Sequence, residues 1–99
     1  MIVVQNHIKV KQEYREEFEK RFSDRVTHLK KFPGFVRNDV MRPIKGDSYI
    51  VMTFWESMEA FDAWVNSEKF RKSHSGGNPE MFDGPNTLSV HQVFSSTVK

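Results

Sequence analysis

Asn6, Trp64 and His74 are the residues of this 99-residue chain whose types and places could do chemistry. Asn6 falls in Ile2-Val3-Val4-Gln5-Asn6-His7-Ile8-Lys9-Val10, on the alternate positions otherwise filled by Ile2, Val4, Ile8 and Val10. Asparagine is depleted in strands, and an amide buried without a partner costs about 1–3 kcal/mol. Such an amide either bonds the backbone of a neighbouring loop or serves a ligand. His74 follows Phe70 by four residues, a spacing that puts both on one helix face. A histidine there either satisfies itself at the rim of a core or binds a metal through the Nε2 of its neutral imidazole. Trp64, taken alone, reads as plain core. It precedes His74 by ten positions. In an unbroken helix, at about 100° per residue, the two would lie within about 80° of each other. A break at Ser67 would change that angle.

Other chemistries find little support. Cysteine is absent, which removes disulfides, thiolate metal sites and a thiol nucleophile. His7, His28, His74 and His91 form no close pair of the kind zinc motifs use. No Ser-His-Asp order, phosphate loop or dinucleotide fingerprint is present, and Glu16, Glu17 and Glu56 read as solvent-facing. The net charge is only +2. Lys30-Lys31 and Lys69-Phe70-Arg71-Lys72 read as solvated helix faces, so no nucleic-acid partner is expected. No apolar run reaches the roughly 18 residues of a membrane span, and the opening residues lack a secretory pattern. The expected location is the cytoplasm. Aromatic residues make up 13% of the chain, enough both to build a core and to line a slot for a flat ligand.

The elements that must position these residues follow from periodicity. Residues 2–10 alternate as a strand. Over 12–31, Tyr14, Phe18, Phe22, Val26 and Leu29 recur every three or four residues, which predicts an amphipathic helix ended by Pro33-Gly34. Residues 35–42 and 48–55 read as strands separated by turn residues, the second apolar on both faces. Ser57 is placed to cap a helix at Ala60, with Met58, Phe61 and Trp64 directed inward. Ser67 can cap a further stretch carrying Phe70 and His74, 75–79 must be a loop, and 87–97 alternate as a last strand. The order βαββαβ over a single domain, 1–99, predicts the α+β, ferredoxin-like arrangement: a four-stranded antiparallel sheet with two helices on one face. The third strand is apolar on both faces, Tyr49, Val51 and Trp55 against Ile50, Met52 and Phe54, while the helices cover only one; a homodimer with sheets packed face to face, a dimeric α+β barrel, is therefore expected, with a monomer bearing a few exposed apolar residues as the alternative.

These residues resemble the antibiotic biosynthesis monooxygenase superfamily and, within it, the IsdG-type haem-degrading monooxygenases. The resemblance runs over nearly the whole chain. It is carried by Val4-Gln5-Asn6-His7-Ile8-Lys9-Val10, by Phe32-Pro33-Gly34-Phe35, and above all by the run from Phe54-Trp55-Glu56-Ser57 through Trp64 and Phe70 to His74. The Phe-Pro-Gly-Phe and Trp-x-Ser pieces mark only the superfamily; the trio Asn6, Trp64 and His74 narrows it to haem degradation. The resemblance implies that haem is both substrate and cofactor, with His74 as proximal ligand to its iron. It implies Asn6 on the distal side as a hydrogen-bonding partner of bound dioxygen or of the porphyrin, and Trp64 pressing the ring out of plane. Phe22 and Phe70 would line the pocket, and Arg21 would approach a propionate. Dioxygen would be consumed and electrons would come from an external reductase or reductant, since no flavin or nicotinamide motif is present. The loop through Gly76-Gly77 and Pro79 bears on which meso carbon is attacked, and a biliverdin-like and a formyl-derived product both stay open. Other superfamily members suggest one alternative, a cofactorless monooxygenase acting on a phenolic or quinol substrate; a second alternative is a haem-binding module without turnover.

Overall fold

A computed structural model describes residues 1–68, 70–71 and 79–99, with the backbone alone described at 24–28. The alternating opening segment forms β1 (Ile2–Lys9), an inner strand of a four-stranded antiparallel sheet. The other strands are β2 (Phe35–Met41), β3 (Ser48–Trp55) and β4 (Thr87–Gln92), and the sheet order is β2-β3-β1-β4. A 3-10 turn at Gln12–Tyr14 leads into α1 (Arg15–Leu29), and α2 (Met58–Val65) follows β3. This is the expected ferredoxin-like βαββαβ order.

Alternation decides which side of the sheet is covered. Val4, Ile8, Tyr49 and Trp55 point toward the helices and are at most 4% exposed. They divide into two core clusters. One joins Ile8, Val10, Phe18, Tyr49 and Met81; the other joins Val4, Leu29, Trp55 and Trp64. In β1, Asn6 lies between Val4 and Ile8, and so between the two clusters. On the opposite face Val3, Gln5, Ile50, Met52 and Phe54 have no helix above them. There the Arg37 guanidinium lies 4.4 Å from the centre of the Phe54 ring.

α2 starts where its cap directs. Ser57 is extended (φ −153, ψ 164), and its Oγ accepts the Ala60 N–H at 3.2 Å. Gly34 brings the start of β2 against this helix: its φ is 83°, and a Cβ there would overlap the Ala60 methyl. The Glu56 N–H bonds the Gly34 carbonyl at 2.9 Å, locking the two segments together.

Several expectations need correction. The last strand stops at Gln92, not at residue 97. Its sole neighbour is β1, whose first residue, Ile2, pairs with Gln92, so the alternating residues beyond have no strand to join. The first strand ends at Lys9, and Val10 makes an isolated bridge to Phe82. The first helix is shorter at both ends than 12–31. Met58 does not face inward; it is 39% exposed, and Ala60, Phe61 and Trp64 form the inward stripe.

Candidate active site

The site is the gap between the two core clusters. Two cross-strand rows make its floor. One runs Asn38, Thr53, Val4 and Val90; the next runs Val40, Val51, Asn6 and Leu88. Opposed residues of an antiparallel pair share a face, so both rows point at the helices. α1 contributes Phe22 and Leu29 to the walls, α2 contributes Phe61, Trp64 and Val65, and Phe70 comes from the turn beyond. The cavity is open to one side and has a volume of about 380 Å³, within the range of small-molecule sites, roughly 300–1,000 Å³. Its lining is apolar apart from Asn6, Asn38, Thr53 and Asn86.

Asn6 Oδ1 is buried and has no hydrogen-bond partner among the described residues. The loop-backbone bond that the strand pattern allowed is therefore not made at that oxygen. Buried polar atoms are nearly always satisfied, so an unpaired acceptor in a cavity is the mark of a group kept for a ligand. The other buried atoms without a partner among the described residues, Arg15 Nε and Trp55 Nε1, do not belong to lining residues.

Trp64 forms a rigid wall. Its ring meets Phe32 at 5.2 Å and 74°, Phe70 at 5.7 Å and 88°, and Trp55 at 6.2 Å. Edge-to-face contacts of this kind are worth about 0.5–1.5 kcal/mol each beyond area burial. Ser67 joins this wall to the next turn: its hydroxyl donates to the Trp64 carbonyl at 2.6 Å and accepts the Phe70 N–H at 3.1 Å. The expected cap at Ser67 thus exists, and it holds Trp64 and Phe70 on one side of the cavity.

Four of the six residues singled out from the sequence, Asn6, Phe22, Trp64 and Phe70, line this one cavity. His74 lies outside the described residues. Arg21 does not line the cavity; it pairs with Glu17 one turn away, at 3.4 Å, on the exposed side of α1. Asn38 and Thr53 were missed by sequence reasoning. Asn38 sits in the polar run Arg37-Asn38-Asp39, which hides it among solvent-facing residues.

A second cavity, about 370 Å³, lies behind Phe22, bounded by Glu19, Ser23, Val40, Arg42 and Tyr49. Its charges satisfy one another. Arg42 donates twice to the Glu19 carboxylate, through Nε at 2.8 Å and through a second nitrogen, and the Tyr49 hydroxyl donates to Glu19 at 2.5 Å. The Arg42 bonds, then the Tyr49 bond, bring the Glu19 carboxyl down to about 2. Burial, and then its bond to Glu19, push the Tyr49 phenol up. This network fastens β3, and the residue that follows β2, to α1 and pairs the charges of this cavity with one another.

The fold and this cavity define a class. Residues 1–76 match the family of antibiotic biosynthesis monooxygenases, and the chain belongs to that family. Among its curated relatives, the mycobilin-producing heme oxygenase of Mycobacterium tuberculosis is 41% identical over 76 residues, covering 76% of this chain and 71% of that protein. The staphylobilin-producing heme oxygenase of Staphylococcus haemolyticus is 32% identical over 100 residues, covering 99% of this chain and 95% of that one. Among solved structures, the heme-degrader MhuD from Mycobacterium tuberculosis, with two hemes bound in its active site, superposes with a TM-score of 0.83 at 32% identity. That match covers 99% of this chain and all of the other.

Proposed function

We propose that this protein is a haem-degrading monooxygenase, which opens the porphyrin ring with dioxygen and electrons and releases the iron. The observation that carries the reading is the unpaired, buried Asn6 Oδ1 in an apolar cavity walled by Trp64. Its relatives are named for this reaction. A flat, apolar ring suits such a lining, and the Asn6 amide, with N–H donors as well as its unpaired oxygen, suits a reaction that needs a hydrogen bond near the ring centre and little water.

Bound haem supplies the redox chemistry, since its iron activates the oxygen that attacks a meso carbon of the same ring. The residues of the chain supply the setting. Asn6 offers a short amide that orients a polar ligand from the floor of the cavity. Trp64, fixed by Phe32, Trp55 and Phe70, presses a bulky indole on the ring and favours its departure from flatness. Phe22, Phe61 and Phe70 keep water out, which strengthens the amide's hydrogen bond. His74, four residues beyond Phe70 in sequence, is the proposed axial ligand of the iron. The electrons are assigned to an external donor. A homodimer belongs to the same reading, supported by Ile50, Met52 and Phe54 on the helix-free face. No helix among the described residues is long and apolar enough to cross a membrane; the cytoplasm is the proposed location.

The test is a haem titration followed by ascorbate in air, read by absorbance, by an iron chelator and by mass spectrometry of the product. A Soret band, its decay and iron release are expected, and His74→Ala should abolish the ligated spectrum. Binding without ring opening would reduce the protein to a haem carrier. No haem binding, together with oxidation of an anthrone, would favour the cofactorless reading.

A further inference from the structure

The strands contain two asparagines, Asn6 and Asn38, and both line the same cavity. Asn38 is there because of a bulge. Phe35 pairs with Trp55, but the next pair is Arg37 with Phe54, so Val36 is an extra residue on β2. In a regular ladder Arg37 would face Thr53 and point into the cavity. The bulge exchanges the two: Arg37 turns out onto Phe54, and Asn38 turns in beside Thr53. Bulges commonly re-aim side chains next to active sites. Here a neutral amide replaces a guanidinium on the floor.

The amide is held but not used up. Asn38 Nδ2 donates to the Met52 carbonyl at 3.3 Å. An asparagine amide has a second N–H and an acceptor oxygen, and no hydrogen bond to either is recorded among the described residues. By strand spacing and rise, Asn38 lies two strands and one row from Asn6, roughly 12 Å between Cα atoms. That separation is comparable with the span from the centre of a porphyrin to its carboxylate-bearing edge. β2 is an edge strand and Asn38 is only half buried, so a carboxylate there stays partly hydrated and needs no buried cation. A vinyl or methyl edge would instead cover the amide and leave it unpaired.

We propose that Asn38, turned inward by the bulge at Val36, donates a hydrogen bond to a propionate of the bound porphyrin and so sets which meso carbon faces the attacking oxygen. This rests on the haem-degrading reading above. Asn38 is a positioning residue; it touches the rim of the ring and leaves the reacting carbon to Asn6 and Trp64.

The test crosses Asn38→Ala with esterification of the ligand. Wild type and variant are titrated with iron protoporphyrin and with its dimethyl ester, and the ring-opened isomers from the free acid are separated after ascorbate turnover. Wild type should bind the ester about three- to ten-fold more weakly than the acid, the size of one partly solvated hydrogen bond to a charge. Asn38→Ala should bind both alike and give an altered isomer ratio, while Asn38→Ser, which keeps a donor, should restore the preference. Circular dichroism of each variant confirms folding. An equal ester penalty in wild type and Asn38→Ala, with an unchanged isomer ratio, overturns the proposal while the haem reading stands. A shift caused by Asn86→Ala and not by Asn38→Ala would move the polar edge to the β4 side and overturn it too. Absence of haem binding or ring opening in wild type instead overturns the haem reading, and this inference with it.

Discussion

Asn6 holds a buried carbonyl oxygen with no donor beside it, in a cavity that would accept a larger apolar side chain. Removing such a group relieves a desolvation cost of about 1–3 kcal/mol. Asn6→Leu is therefore expected to raise folding stability by about 1 kcal/mol, or a melting temperature by about 4–8 °C in a domain this size. Ring opening should fall at least about ten-fold, because the floor loses its hydrogen-bonding group. Thermal melting and ascorbate turnover on one preparation measure both. A variant that lost stability would show that the amide has a protein partner after all. The opposite holds for Trp55. It is fully buried, and truncation to alanine belongs to the 3–5 kcal/mol class, so it supports Trp64 without being a safe probe of function.

Elements meet at two points where small changes should matter. Gly34 has a φ of 83°, and a methyl group there would collide with Ala60 of α2. Gly34→Ala is expected to cost about 2–4 kcal/mol, combining left-handed strain with overpacking. Urea unfolding should show the lower midpoint, and the loss is large beside the usual 5–15 kcal/mol of total stability. The second point is the Glu19 carboxylate, which ties α1 to Arg42 and Tyr49. Its pKa is about 2 in the folded chain, against 4.5 ordinarily, chiefly through the bonds from Arg42 and then from Tyr49. A lowered carboxyl pKa stabilises the fold above the unfolded value. That contribution is lost as pH falls from about 4.5 toward about 2, where the unfolded chain binds the proton first. The Glu19 side chain is 32% exposed, so solvent screening limits the contribution to on the order of 1 kcal/mol. The stability difference between wild type and Glu19→Gln should be present at neutral pH and shrink across that acid window. A pH-independent difference would place the effect in packing.

For the whole molecule, the sheet has one face under helices and one without. The face without helices carries the half-buried Ile50, Met52 and Phe54, with Met41 40% exposed at its edge. Contiguous apolar surface of this kind marks an interface, and the proposed homodimer would cover it. Met52→Asp is expected to yield a monomer by light scattering, since a carboxylate buried between two sheets is costly to desolvate and this one would stand directly across from Asp39. Haem affinity measured on that monomer would tell how far the cavity depends on the partner. A wild-type chain that stays monomeric at high concentration would remove the dimer from the reading.

Local pattern was enough for most of the framework. A period of two gave β1, an apolar run set off by turn residues gave β3, a period near 3.6 gave α1, and Ser57 and Ser67 announced their caps, because these signals depend only on neighbours along the chain. Asn6 was legible for the same reason, as one polar residue interrupting an apolar face. The end of β4 was not, because a strand ends where its partner ends, and alternation continues past that point. Nor was Asn38, since whether it points in or out depends on one unpaired residue in the ladder between β2 and β3. The cavity itself arises where two clusters, assembled from residues far apart in sequence, do not close on each other. Sequence alone determined which side chains prefer burial; only the packing of distant elements decided where burial stops and leaves space for a ligand.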